Sequence, residues 1–141
     1  MISLLIICAC QLPFDSVDSN REEFSCIPCN IKTISDVTKN MEKIKDSQVE
    51  KFLCTIKKEC ELNIEFSQYS NEVLFDILDK HTNKFVIAFS KVPVPEREYL
   101  LFVISNPLLD YNIEDFQLKV KNSEGSTEIK SLILKALKDA D

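Results

Sequence analysis

Apolar residues recur at every third or fourth position in two parts of the chain, which is the spacing of one face of an α-helix. The first stripe fades near Lys45, and its members are Ile31, Ile34, Val37, Met41 and Ile44. The second follows Gly125, and Ser126 stands where a helix cap is preferred. Its apolar members are Ile129, Leu132, Ile133 and Leu137. The pattern therefore predicts a helix after residue 30 and a closing helix after residue 126.

Three other apolar segments favour β-strands. Residues 85–90 and 99–105 are rich in β-branched and aromatic side chains, and Pro93 and Pro95 lie between them. These two segments are typical of strands from the centre of a sheet. Apolar and polar residues alternate over 116–120, which predicts a strand with one solvated face.

Two further segments fit either a helix or a strand. Residues 47–50 have the sequence of a capping box, which predicts a helix over the apolar positions between Val49 and Ile56. The same segment is short enough to be a strand. Residues 73–78 are equally ambiguous, because their apolar positions fit a helix and their length fits a strand.

Length and composition indicate a globular protein. The chain has 141 residues, of which 45% are hydrophobic and 28% charged, with a single Gly. This predicts one domain, over residues 26–141, with a real core. The net charge of −6 and the lack of any Lys/Arg run disfavour nucleic acid and anionic membranes as partners.

The first 25 residues divide into two parts. Residues 1–10 form an apolar run of signal-peptide length, too short to span a membrane, so we predict a signal peptide or apolar anchor. A buried first strand is the alternative. Residues 11–25 are polar and predict a tail. Removal of a signal would place the protein in the endoplasmic reticulum lumen or outside the cell, with no strong membrane association.

Cysteines are the candidate reactive groups. Four of six, namely Cys26, Cys29, Cys54 and Cys60, follow the apolar run. An even number in an oxidising compartment predicts disulfides, with three possible connectivities. A Cys-x-x-Cys pair just before a helix also suits thiol–disulfide exchange, because the helix amino terminus stabilises a thiolate. Cys26 would then attack a protein disulfide and Cys29 would release the product.

At these residues the chain resembles thioredoxin-fold proteins. Cys26-Ile27-Pro28-Cys29 is similar to their C-x-P-C active site, and residues 52–55 with Glu59-Cys60 resemble a cysteine pair of protein disulfide isomerase domains. The resemblance covers roughly residues 24–80 and 116–138. It implies a divergent thioredoxin-like α/β fold, with a mixed sheet flanked by helices, that exchanges disulfides with protein thiols. It also implies that Cys54 and Cys60 form a local structural disulfide.

The alternative is a disulfide-stapled α+β domain. In that reading Cys26 and Cys29 are joined to Cys60 and Cys54, and the protein is a small secreted interaction module without catalysis. The spacing of Cys54 and Cys60 does not suit a zinc knuckle, so neither a metal nor a cofactor is predicted. The single histidine, His81, lies in a polar segment and predicts no general base. Substrate-binding residues cannot be assigned from the sequence.

Overall fold

The computed structural model describes residues 26–140, and every regular element in that range is helical. Between residues 26 and 140, seven α-helices and two short 3-10 turns follow one another without a strand. The α-helices are α1 (Ile31–Lys39), α2 (Asp46–Thr55), α3 (Ile64–Lys80), α4 (Thr82–Lys91), α5 (Val94–Ile104), α6 (Ile113–Asn122) and α7 (Thr127–Asp139). The 3-10 turns are Met41–Lys43 and Lys58–Cys60.

This architecture corrects both predicted fold classes. A thioredoxin-like α/β fold needs a mixed sheet, and the alternative α+β domain needs strands too, but residues 26–140 contain none. The fold is an all-helical bundle. The predicted signal peptide or anchor (1–10) and polar tail (11–25) lie outside the described residues.

The two predicted central strands are helices α4 and α5. The run of residues 85–90 looked like a strand because α4 is buried on several sides, where it contacts α2, α3, α6 and α7. Ile87 is 37% exposed, so the run is apolar on its solvent side as well, and this hides its helical period. The prolines between the two segments mark a helix start, since Pro93 is the N-cap of α5 and Pro95 lies in its first turn.

The predicted strand over residues 116–120 is also wrong. These residues lie in α6, where Ile113, Phe116 and Val120 are buried and follow a helical spacing of three and four. Leu118 points away from the core and is 57% exposed. The apparent alternation arose because one apolar residue stands on the solvent face of a helix.

The other helix predictions hold. The first stripe forms α1 and the following 3-10 turn, and four of its five members are buried. The closing helix is α7, where the Ser126 hydroxyl accepts a hydrogen bond from the Ile129 N–H. Both ambiguous segments are helical, in α2 and α3. The Gln48 side chain accepts from the Lys45 N–H, so the N-cap of α2 is Lys45 and the helix begins two residues earlier than the capping-box sequence suggested.

Helices α3 and α4 form the centre of the bundle. Helix α3 contacts α1, α4, α5 and α6, and α4 contacts α2, α3, α6 and α7. The buried apolar side chains of residues 26–140 belong to one cluster, so these residues share a single hydrophobic core. None of the helices in this range combines the length and the apolar character that crossing a bilayer requires.

Candidate functional site

The four cysteines of the described range form two disulfides that run side by side. Cys26 is bonded to Cys54, with the two Cα atoms 5.8 Å apart, and Cys29 is bonded to Cys60, with the Cα atoms 5.4 Å apart. Both distances are normal for disulfides. Cys54 and Cys60 are therefore disulfide-bonded, but not to each other as the resemblance implied. The bridges join the segment before α1 to the end of α2 and the turn that follows it.

Thr55 fixes the Cys-x-x-Cys loop between these bridges. Its buried hydroxyl donates to the Ile27 carbonyl at 2.6 Å and accepts from the Asn30 N–H at 2.8 Å. Its carbonyl accepts from the Cys29 N–H at 2.9 Å. Cys29 has a φ of 54°, a left-handed conformation that few non-glycine residues adopt. Two covalent bonds and three hydrogen bonds thus hold this short loop in place.

The loop does precede a helix, as predicted. Helix α1 begins at Ile31, and the side chain of Asn30 caps it by accepting from the Lys32 N–H. Both sulfurs of the Cys-x-x-Cys pair are bonded to partners about thirty residues along the chain. Catalytic roles for Cys26 and Cys29 stay a prediction, and we do not propose them, because exchange chemistry needs these two sulfurs to bond each other.

Thr55 gives the first test of this arrangement. Thr55→Val keeps the shape of the side chain but leaves the Ile27 carbonyl and the Asn30 N–H without their partner. We expect it to lower the free energy of unfolding by about 2 kcal/mol, measured by urea denaturation. Thr55→Ser is the matched control, because it keeps the hydroxyl, and we expect it to lose about half as much. Equal stability of Thr55→Val and the wild type would contradict the role assigned to this hydroxyl.

A groove lies beside the second bridge, between the segment 56–61 and α5. Its volume is about 660 Å³, and it continues into a smaller cavity of about 240 Å³ farther along α5. The two cavities share Ile56, Lys57, Glu61, Tyr99 and Phe102. Cys60 lines the smaller one. The disulfide between Cys29 and Cys60 therefore fixes one wall of the groove.

Apolar residues occupy both faces of α5, although only one face belongs to the core. Leu100 and Ile104 are buried inside the bundle. On the groove side, the rings of Tyr99 and Phe102 stack with their centroids 6.0 Å apart, and Phe102 is 51% exposed. A half-buried tyrosine stacked on an exposed phenylalanine at the mouth of a groove is a common feature of binding surfaces.

Carboxylates dominate the charge of the larger cavity. Glu59, Glu61, Glu96 and Glu98 line it, together with only two ammonium groups. One of these, Lys57, forms an ion pair with Glu96. Burial raises the pKa of the Tyr99 phenol, and the negative charge of Glu61 raises this pKa further. The groove thus combines an aromatic pair at its mouth with an excess of carboxylates.

The sequence did not identify these groove residues. Tyr99 and Phe102 lie three positions apart, which is a helical spacing, but the run that contains them was assigned to a strand. His81 is half-buried, and its Nε2 lies 2.6 Å from the Met41 carbonyl oxygen. Among residues 26–140 no group of three or more His, Cys, Asp or Glu side chains is arranged to hold a metal ion.

Comparisons of the chain with family models, curated proteins and solved structures gave no match.

Proposed function

We propose that this protein is a non-catalytic binding module in which the four bridged cysteines, Cys26, Cys29, Cys54 and Cys60, are structural. The observation that carries the proposal is the pairing of Cys26 with Cys54 and of Cys29 with Cys60. Each bridge takes one sulfur of the Cys-x-x-Cys pair out of exchange chemistry. Both bridges instead brace the end of α2 against the start of the bundle.

The groove along α5 is the proposed binding surface. One wall of the groove, residues 56–61, comes immediately after Cys54 and Thr55 in the sequence. Cys54 is fixed by its disulfide, and Thr55 is fixed by its hydrogen bonds to the Cys-x-x-Cys loop. A wall fixed in this way loses little conformational entropy when a partner binds. We propose a protein as the partner, since the net charge of −6 disfavours nucleic acid.

Two disulfides are typical of proteins from oxidising compartments. We therefore place the protein in the lumen of the endoplasmic reticulum or outside the cell. The described helices contain none that could span a bilayer, and the proposal requires none.

The proposal is tested by a disulfide-exchange assay alongside disulfide mapping. We expect insulin reduction by dithiothreitol to be no faster with the purified protein than without it. We also expect mass spectrometry of nonreduced peptides to recover the two bridges described above. Cys26→Ser serves as the comparison, because it removes the predicted attacking thiol. Insulin reduction above background that Cys26→Ser abolishes would overturn the proposed function.

A further inference from the structure

We infer that the groove along α5 binds an extended segment of a partner protein, with basic side chains at one end and apolar side chains at the other. The inference rests on the proposed function and specifies its ligand. It is carried by the different character of the two ends of the groove. One end is acidic, and the other is apolar.

The acidic end lies at the first turn of α5 and the 3-10 turn opposite it. Glu59, Glu96 and Glu98 line this end, and Glu61 stands where the two cavities meet. Since Glu96 is paired with Lys57, the other three carboxylates face only one ammonium group in the cavity, that of Lys58. Arginine or lysine side chains would complement this charge.

The aromatic pair lies between the two ends. Tyr99 and Phe102 line both cavities, and more than half of the Phe102 side chain is open to solvent. A cation held by the carboxylates can lie over such a ring and gain from its negative face. An apolar side chain farther along can cover the remainder of the ring. The pair therefore suits the junction between basic and apolar residues.

The apolar end is lined by Phe66, Val103 and Leu108. Polar groups there are already engaged within the protein. The Asn71 side chain donates to the Asn106 carbonyl at 3.1 Å and accepts from the Leu108 N–H at 3.1 Å. Few polar groups remain for a polar ligand, so an apolar side chain fits this end best.

Length favours a peptide as the occupant. Helix α5 has 11 residues, which corresponds to about 16 Å at the usual helical rise. An extended chain advances by about 3.3 Å per residue, so about five residues cover this distance. The elongated groove with opposite ends is therefore matched by a short segment whose charge and apolar character are separated in sequence.

Fluorescence anisotropy with labelled synthetic peptides on the full chain tests the inference. The probe has about eight residues, with arginines at one end and leucines at the other, and is made in both chain directions. One matched peptide carries glutamates in place of the arginines, and a second carries serines in place of the leucines. We expect the arginine–leucine probe, in at least one direction, to bind about tenfold more tightly than either matched peptide.

Variants locate the binding. We expect Phe102→Ser to weaken the arginine–leucine probe about tenfold, and the double variant Glu61→Gln/Glu98→Gln to weaken it by a similar factor and to reduce its salt dependence. Leu118→Ser is the matched control, since Leu118 is similarly exposed but lies on α6 outside the groove. It should leave binding unchanged.

Three results would overturn the inference: equal binding of the glutamate peptide, an equal effect of Leu118→Ser and Phe102→Ser, or dodecyltrimethylammonium displacing the probe at concentrations as low as unlabelled peptide. The last result would assign the groove to a small cationic amphiphile. None of these results restores disulfide exchange, so failure here is distinct from failure of the proposed function, which the insulin assay decides.

Discussion

Replacing all four bridged cysteines by alanine is expected to lower the free energy of unfolding by about 6 kcal/mol. That loss is comparable to the entire stability of many small domains. We therefore expect the variant without bridges to be largely unfolded at physiological temperature. Removing a single bridge should cost about 3 kcal/mol and leave the protein folded.

The difference in stability between losing one bridge and losing both follows from the positions of the two bridges in the sequence. Their partners are 28 and 31 residues apart in sequence, and the two loops overlap almost completely. With one bridge in place, the other closes only a ring of about 11 residues, formed by 26–29 and 54–60. Once that first bridge is gone, removing the second opens a loop of about 30 residues, which has the larger entropic effect.

Urea denaturation followed by far-ultraviolet circular dichroism measures these differences. The set consists of Cys26→Ala/Cys54→Ala, Cys29→Ala/Cys60→Ala and the variant that lacks all four. The mixed double variant Cys26→Ala/Cys60→Ala is the control, because it breaks both bridges with only two substitutions and should be nearly as unstable as the variant that lacks all four. If that control matched the single-bridge variants, the assigned pairing would be incorrect.

Phe75→Ala is expected to destabilise the protein by about 4 kcal/mol. Phe75 is fully buried on α3, where its ring stacks on Tyr111 with centroids 4.6 Å apart and meets Phe116 edge-on at 5.5 Å. Its removal leaves a cavity between α3, α6 and the loop before α6, and it breaks two aromatic contacts. The loss should therefore exceed that of an isolated phenylalanine at the surface.

The matched control is Phe102→Ala, which removes the same ring from a half-exposed position. We expect it to change the free energy of unfolding by less than about 0.5 kcal/mol. Chemical denaturation of both variants gives the comparison. Similar losses for the two substitutions would show that α3 does not have the central place in the core described above.

Helix predictions succeeded where one face of a helix meets solvent. The apolar stripes of α1 and α7 are interrupted by polar residues on the solvent face, and Ser126, the N-cap of α7, is recognisable in the sequence. The helix prediction failed for α4 because Ile87 adds an apolar residue on its solvent side, and it failed for α5 because a second apolar face lines the groove. A short run that is apolar on all sides does not show whether its period is two or 3.6.

The candidate site was predictable in part. The sequence identified the four cysteines and offered bridges between the two pairs as one alternative, but a choice among three connectivities depends on distances in space. Thr55 was invisible as a functional residue, because its role depends on a loop nearly thirty residues earlier. The groove was missed because it requires the correct position of α5, which the strand assignment excluded.

Covalent bonding at Cys26 also determines how the protein bears tension. A pull on the chain ahead of Cys26 passes through the two bridges to Cys54 and Cys60, so that α1 and nearly all of α2 lie outside the loaded path. Stretching the oxidised protein from its two ends should release a contour shorter by about 100 Å than that of the reduced protein, since the shortest covalent path crosses from Cys29 to Cys60 and bypasses their separation of 31 residues. Helix α1 is therefore not stretched when a force is applied to the chain ahead of Cys26.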